Sequence, residues 1–109
     1  MTPEEHAQAI RNLAPTYGDA KAQRVYLEEF RKSKKAMLMR DALLNGIEAA
    51  NHQEREAYSN FEYVQLIKGL ASAIEIEETL RWELESHRLD IEIWRSREST
   101  ARAQDKAHQ

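Results

Sequence analysis

Carboxylates are the most numerous ionisable side chains of this sequence, and several occur as close pairs. Glu28 and Glu29 are neighbours, and similar pairs stand at positions 77/78, 83/85 and 90/92. General acid–base catalysis needs two carboxyl groups in one cleft whose surroundings separate their pKa values. Helical spacing instead directs most of these groups towards solvent. We therefore expect no catalytic carboxylate pair.

Histidines are the second group that could support chemistry, at positions 6, 52, 87 and 108. His52 and Glu56 could share a helix face, but a metal site needs three or four convergent ligands and the sequence has no H-E-x-x-H or E-x-x-H repeat. It also has no cysteine, no Gly-rich phosphate loop and no G-x-S-x-G motif. We expect no metal, no other cofactor and no enzymatic activity, and we interpret His87 as a hydrogen-bonded core residue.

A basic face is the strongest candidate for a binding function. Its five cations fall within an arc of about 100° on the helical wheel of one predicted helix. Glu28 interrupts them. Such a row could follow nucleic-acid phosphates with salt-sensitive affinity; alternatively, it is a solvated face that pairs with acids across an oligomer. No aromatic residue is interleaved, which argues against base stacking. The candidate nucleic-acid-binding residues are Lys21, Arg24, Arg31, Lys32 and Lys35.

Composition indicates that long helices position these groups. The 109 residues are 32% charged and 41% hydrophobic, with three glycines, two prolines and a net charge of −3. We predict one helical domain over residues 1–101 and a polar, disordered tail over 102–109. The chain has no apolar run long enough to span a membrane and no secretory signal pattern, so we expect a cytoplasmic protein that binds no membrane.

Capping signals divide the chain into helices. Thr2-Pro3-Glu4-Glu5 resembles a capping box, and Pro15 with Gly18 is expected to end the first helix. A second helix is expected from 16–19 to Asn45-Gly46, with a core-facing stripe of Tyr26, Leu27, Phe30, Met37, Leu38 and Leu44. Residues 47–58 suggest a short or frayed helix. A second capping box at Ser59-Asn60-Phe61-Glu62 should start the last helix, which runs to about Ala101.

The last helix carries a row with the three- and four-residue steps of a coiled coil. Glu77, His87 and Glu98 interrupt its apolar character. We predict an all-α fold, namely an antiparallel helical hairpin with one very long C-terminal helix, in an oligomeric helical bundle or coiled coil. The predicted core seam consists of Leu66, Leu70, Leu80, Leu84, Ile91 and Trp94.

A second apolar stripe lies almost opposite this seam. With Ala71, its residues fall within about 40° on a helical wheel. A helix in a hairpin buries one side, so the other side must be covered by the first helix, another subunit or a partner. We predict a homo-oligomer; alternatively, Leu89 and Ile93 face the first helix and Trp82 is a surface residue. The predicted oligomer interface comprises Val64, Trp82, Leu89 and Ile93.

Residues 26–102 resemble small all-helical proteins of tailed bacteriophages and prophages. The distinctive block is Ile91-Glu92-Ile93-Trp94-Arg95-Ser96, followed by Glu98 and Arg102. The remaining matching features are Ala20-Lys21, Lys32, Lys34, Lys35, Gly46, Arg55-Glu56-Ala57, Tyr63 and Leu70. Such proteins are often encoded near single-strand annealing recombination or replication genes. The resemblance implies a role in phage DNA metabolism or host-nuclease evasion in the host cytoplasm, and marks Trp94 and Arg95 as candidates by motif.

Three functions follow from these observations. The first is a non-catalytic, homo-oligomeric accessory or modulator that binds another protein of phage or host DNA metabolism. The second is a nucleic-acid-binding accessory protein that uses the basic helix face. The third is a virion assembly protein.

Overall fold

The computed structural model describes residues 1–108, and Gln109 lies outside the described residues. Helix α1 spans Pro3–Leu44, α2 spans Ala50–Ser59 and α3 spans Phe61–Ala107. Residues 1–108 contain no β-strand, so the all-α prediction is confirmed. Over the same residues, no helix has both the length and the apolar character required to cross a membrane.

Helix α1 runs without interruption past Pro15 and Gly18, so the predicted end of a first helix at these residues is wrong. Proline removes one backbone hydrogen bond, here the one that the Arg11 carbonyl would accept, but it need not end a helix that packing stabilises. Leu13 and Tyr17 lie on either side of Pro15 and are both half-buried. Packing along this side therefore stabilises the helix where its hydrogen bonding is weakest.

The end of α1 agrees with the predicted stop at Asn45-Gly46. Gly46 has a φ of 94°, a conformation that glycine adopts without steric cost. The Gly46 amide donates to the Leu43 carbonyl and the Ile47 amide donates to the Ala42 carbonyl, both at 3.0 Å. This hydrogen-bond pair is the Schellman arrangement, which satisfies carbonyls at a helix end.

The segment predicted as a short or frayed helix is α2. The Ser59 hydroxyl donates to the Arg55 carbonyl at 2.8 Å, so Ser59 closes α2 and does not cap α3. Asn60 caps α3 instead, because its side-chain oxygen accepts the Glu62 amide at 2.8 Å. Helix α3 then continues through Gly69 to Ala107. Residues 102–107, expected from sequence to be part of a disordered tail, are its last turns.

The chain forms two compact units, and both long helices contribute to each. Unit 1 comprises Met1–Gly18 and the part of α3 from Glu78 onward, and unit 2 comprises Asp19–Glu77. The buried hydrophobic residues of the described chain all lie in unit 2. They are Ala42, Ala57, Tyr63, Leu70 and Ala73.

Candidate interaction surfaces

The inner side of α3 follows the predicted three- and four-residue steps. Leu70 is buried, and Trp94 is 43% exposed. The other predicted seam residues are half-buried: Leu66, Leu80, Leu84 and Ile91. Tyr63, Ala73 and Glu77 are buried in the same row. The row therefore contains a carboxylate among its most buried members, and that carboxylate needs a partner.

Helix α1 has a matching row whose members are all half-buried. It includes cationic as well as apolar side chains, which is why a search for an apolar stripe does not find it. The row consists of His6, Ile10, Leu13, Tyr17, Ala20, Arg24, Leu27, Arg31, Lys34 and Leu38. The signal available in the sequence was the uninterrupted alternation of four- and three-residue steps from His6 to Leu38.

The buried carboxylate of unit 2 is held by a bidentate ion pair. Arg24 donates to Glu77 through Nε, and through Nη2 at 3.1 Å. Arg24 Nη1 also donates to Glu28 at 3.0 Å. The hydrogen bond with Glu77 is the main reason that the pKa of Arg24 rises further above its ordinary value. A planar guanidinium matches both carboxylate oxygens, so this contact fixes orientation as well as charge.

The predicted basic face is largely committed to ion pairs within the chain. Besides Arg24, Lys32 pairs with Glu29 at 3.2 Å. Lys35 pairs with Glu54 at 2.8 Å, and its ammonium lies 4.8 Å from the centre of the Tyr58 ring. Hydrogen bonds with Glu54 and Tyr58 raise the pKa of Lys35.

Two cations of the predicted face remain outside these pairs. Lys21 is exposed and Arg31 is half-buried, and neither forms an ion pair within residues 1–108. A row that tracks phosphates needs several free cations. The structure therefore pairs three of the five residues with acids of the same chain and leaves Lys21 and Arg31 outside these ion pairs.

Unit 1 contains a histidine cluster. His6 and His87 approach with their Nδ1 atoms 2.8 Å apart, and their ring centroids are 5.1 Å apart. The second nitrogen of His6 lies 3.6 Å from the Asp90 carboxylate. Pairing agrees with the interpretation of His87 as a hydrogen-bonded residue. No three carboxylate or imidazole side chains among the described residues are arranged to hold a metal ion.

The second stripe of α3 is exposed to solvent in unit 1. Trp82 is 60%, Leu89 46% and Ile93 48% exposed. In unit 2, Ala71 is exposed and Val64 is half-buried. The guanidinium of Arg81 lies 5.1 Å from the centre of the Trp82 ring, a cation–π contact that covers part of the indole.

Charge pairs repeat beside this stripe every seven residues. Glu85 accepts from Arg88 at 3.1 Å and through a shorter second contact, and this lowers the pKa of Glu85 and raises that of Arg88. The equivalent pairs one heptad before and after are Glu78–Arg81 and Glu92–Arg95, both at 3.1 Å. The carboxylates beside the apolar residues are thereby locally neutralised.

A second open apolar surface lies on unit 2, where the sequence led us to expect core. Tyr26, Phe30, Met37 and Leu44 are exposed, so their assignment to a core-facing stripe is wrong; Leu27 and Leu38 are half-buried. The inner row of α1 is rotated relative to the apolar stripe because Arg24, Arg31 and Lys34 occupy inner positions.

A groove of about 600 Å³ runs between α1 and α3 along this open side of unit 2. Phe30, Ile76 and Leu66 are among the side chains that line it, and Gly69 and Ala73 contribute small residues. Phe30 stacks on Tyr26 with nearly parallel rings, 5.9 Å between centroids. Lys34 and Glu62 form an ion pair that also borders the groove. The groove therefore has mainly apolar walls and presents no unpaired charge.

Comparison of the chain with protein-family models, curated proteins and solved structures gives no match. The features that bear on its function are the two exposed apolar surfaces and the charge pairs beside them.

Proposed function

We propose that this protein is a self-associating helical interaction module and not an enzyme. The observation that carries the proposal is the distribution of apolar side chains. Five hydrophobic residues of the described chain are buried, whereas fifteen large hydrophobic residues are exposed. Exposed apolar residues are common on folded proteins when scattered, but here nine of the fifteen recur on two helix faces, which is typical of surfaces that bind another chain.

The surface area supports the same proposal. The chain exposes 8116 Å², about 1,900 Å² more than the roughly 6,200 Å² that mass scaling gives for a compact chain of 12.7 kDa. A stable interface removes about 800 Å² from each partner. The excess is therefore large enough for one interface, and for a second of similar size.

We also propose the antiparallel hairpin that the helix lengths suggest. In unit 2, Arg24 of α1 pairs with Glu77 of α3, and Lys34 pairs with Glu62. The order of partners is reversed along the two helices, as an antiparallel pair requires. We propose Trp82, Leu89 and Ile93, with Val64, as one subunit contact of the oligomer.

Light scattering coupled to size exclusion tests self-association directly. We expect a mass at least twice that of one chain, which is 12.7 kDa. Leu89→Asp should lower the mass while leaving the helical circular dichroism unchanged, because a charge at a subunit contact is costly to desolvate. Lys106→Asp, in the exposed last turn of α3, serves as a matched control. A monomeric wild type at all accessible concentrations would refute the proposal.

We further propose a place in phage DNA recombination or replication, or in host-nuclease evasion, with another protein as the partner. The support for this pathway is the resemblance of residues 26–102 to phage and prophage proteins. Reciprocal co-purification with a phage single-strand annealing protein, using Leu89→Asp as the control, tests the association.

Nucleic-acid binding through the basic face is the less favoured alternative, because Arg24, Lys32 and Lys35 are already paired with acids. The discriminating experiment measures binding to single- and double-stranded DNA as salt is raised. Steep salt dependence that is lost in Lys32→Glu/Lys35→Glu would favour this alternative over the interaction module. An absence of binding at low salt would eliminate it.

A further inference from the structure

The open side of unit 2 carries exposed apolar side chains from both long helices. On α1 its large residues recur at four- and seven-residue steps, so they share one side of the helix. On α3 they are Phe61 and Ile76, and Ile76 lines the groove. Its large side chains are 37–77% exposed: Tyr26, Phe30, Met37, Leu44, Phe61 and Ile76. This face is distinct from the stripe of Trp82, Leu89 and Ile93 (the Trp82 stripe), which belongs to unit 1.

Gly69 gives the groove a floor without a side chain. It lies inside α3, where glycine costs roughly 1 kcal/mol of helix stability relative to alanine. A Cβ at this position would meet nothing within 4 Å, so nothing in the described chain requires glycine there. Gly69, Ser72 and Ala73 together leave space in which another helix could approach the backbone closely.

We propose that this face binds the same face of a second copy, with a two-fold axis beside Gly69. The inference rests on the self-association proposed above and names a second subunit contact, separate from the one that contains Trp82. In this arrangement each Phe30 projects over the floor formed by Gly69, Ser72 and Ala73 of the other copy. The four helical segments then form a bundle, and the groove of each copy is filled by the ridge of the other.

The available area matches what a stable dimer needs. With roughly 200 Å² for each large apolar side chain, the six residues offer about 700 Å² per copy at their observed exposures. Two copies would bury about 1,400 Å², which is within the range of about 1,200–2,000 Å² for specific interfaces.

Charge and shape favour a second copy over a different protein. The Lys34–Glu62 pair at one end of the groove is internally balanced, and Gln23 and Ile76 lie at the other end. A two-fold axis perpendicular to the helices brings unlike ends together, so no like charges meet. The face also carries both a protruding element, the Tyr26–Phe30 stack, and a recessed floor, so it is complementary to itself.

The experiment uses the full chain and four variants in sedimentation equilibrium. Gly69→Glu places a charge in the proposed contact while replacing glycine with a better helix former. Gly18→Glu is the matched control, because Gly18 is also an exposed helical glycine with nothing within 4 Å of a Cβ. Ile76→Lys tests the same face at a second position, and Leu89→Asp tests the stripe of unit 1.

We expect Gly69→Glu and Ile76→Lys to raise the dissociation constant of this contact at least about a hundredfold, and Gly18→Glu to leave it unchanged. A second readout is available because the chain has no cysteine. Gly69→Cys should form a covalent dimer under mild oxidation, and Gly18→Cys should not, because only the former lies beside the proposed axis.

The outcomes separate the two proposals. A monomeric wild type overturns both and leaves the face to a different protein. An oligomeric wild type whose mass and dissociation constant are unchanged in Gly69→Glu and Ile76→Lys overturns this inference alone. If only Leu89→Asp then dissociates it, self-association stands and the contact is the Trp82 stripe.

Discussion

His6 and His87 are joined across α1 and α3 by a hydrogen bond between their Nδ1 atoms, 2.8 Å apart. The ring centroids are 5.1 Å apart. This value is close to the sum of the 2.8 Å between the two nitrogens and the radii of the two rings. The two nitrogens therefore point at each other. One ring donates its proton and the other accepts it, since two protonated Nδ1 atoms could not meet at this distance. The second nitrogen of His6 lies 3.6 Å from a carboxylate oxygen of Asp90.

The first prediction concerns the coupling between these histidines. A double-mutant cycle of His6→Ala and His87→Ala, measured by denaturant unfolding at one protein concentration, should give a coupling free energy of about 1 kcal/mol. His52→Ala combined with His6→Ala is the control, because the exposed His52 lies in unit 2. That control should be additive; a His6–His87 cycle that is equally additive would contradict a shared hydrogen bond.

The second prediction concerns the buried carboxylate of unit 2. Arg24→Leu deprives Glu77, which is 6% exposed, of its bidentate guanidinium partner. We expect the melting temperature to fall by more than about 10 °C. Arg24→Leu/Glu77→Leu should recover most of the loss, since two apolar residues of similar volume replace a desolvated ion pair. A single variant that melts within a few degrees of wild type would show that Glu77 does not depend on Arg24.

The third prediction is a pH dependence. The Lys34 ammonium hydrogen-bonds to Glu62 and lowers the pKa of that carboxyl. Because the folded-state pKa lies below the unfolded one, the contribution to stability is present above the ordinary glutamate value, about 4.3. It is lost as the pH falls through the lowered folded value.

Between about pH 5 and pH 3, wild type should therefore lose melting temperature more steeply than Glu62→Gln. The difference should amount to a few degrees at most, because the pair is exposed to solvent. Glu48→Gln, at an exposed carboxylate between α1 and α2, should keep the wild-type slope. Parallel wild-type and Glu62→Gln curves would be evidence against the pairing.

The fourth prediction tests the continuity of α1. Pro15→Ala restores the hydrogen bond to the Arg11 carbonyl and replaces the poorest helix former with the best, so the free energy of unfolding should rise by up to about 3 kcal/mol. Pro3→Ala is the control, because the first turn of a helix needs no such hydrogen bond. A destabilised Pro15→Ala protein would indicate that the chain turns at this proline.

Local chemistry predicted the ends of helices where a cap is decisive. Gly46 adopts the positive φ that its position after α1 suggests, and Thr2 caps α1 by accepting the Glu5 amide at 3.1 Å. Pro15 was misleading because its local cost is offset by the packing of Leu13 and Tyr17, which only the folded chain reveals. The end of α3 was missed for a related reason: a polar sequence does not exclude helix when its residues have adequate helix propensity.

The interaction surfaces were predictable only in part. The stripe of Trp82, Leu89 and Ile93 could be recognised in the sequence because it is apolar and lies on the side of the helix opposite the apolar seam. The open face of unit 2 was mistaken for core because the helix α1 places Arg24, Arg31 and Lys34 inward, paired or half-buried, and leaves Phe30 outward. Apolar periodicity alone cannot identify an inner row that is partly cationic. The acids that pair with these cations lie far away in the sequence, so no local pattern marks the cations as inner residues.

The two ion pairs of unit 2 also act as a safeguard against slippage. Rows that repeat every seven residues could engage after sliding by one heptad, about 10 Å along a helix. A shift of seven residues in one direction would place Arg31 opposite Glu77 in place of Arg24. The Glu77 site alone could therefore still form an ion pair. The same shift would place Asp41 opposite Glu62, where two carboxylates repel each other. A shift in the opposite direction would place Leu27 opposite Glu62, which would then have no cation to pair with. Alignment therefore depends on both pairs: after one of the two shifts the Glu77 site would still hold an ion pair, whereas the Glu62 site would hold none after either shift.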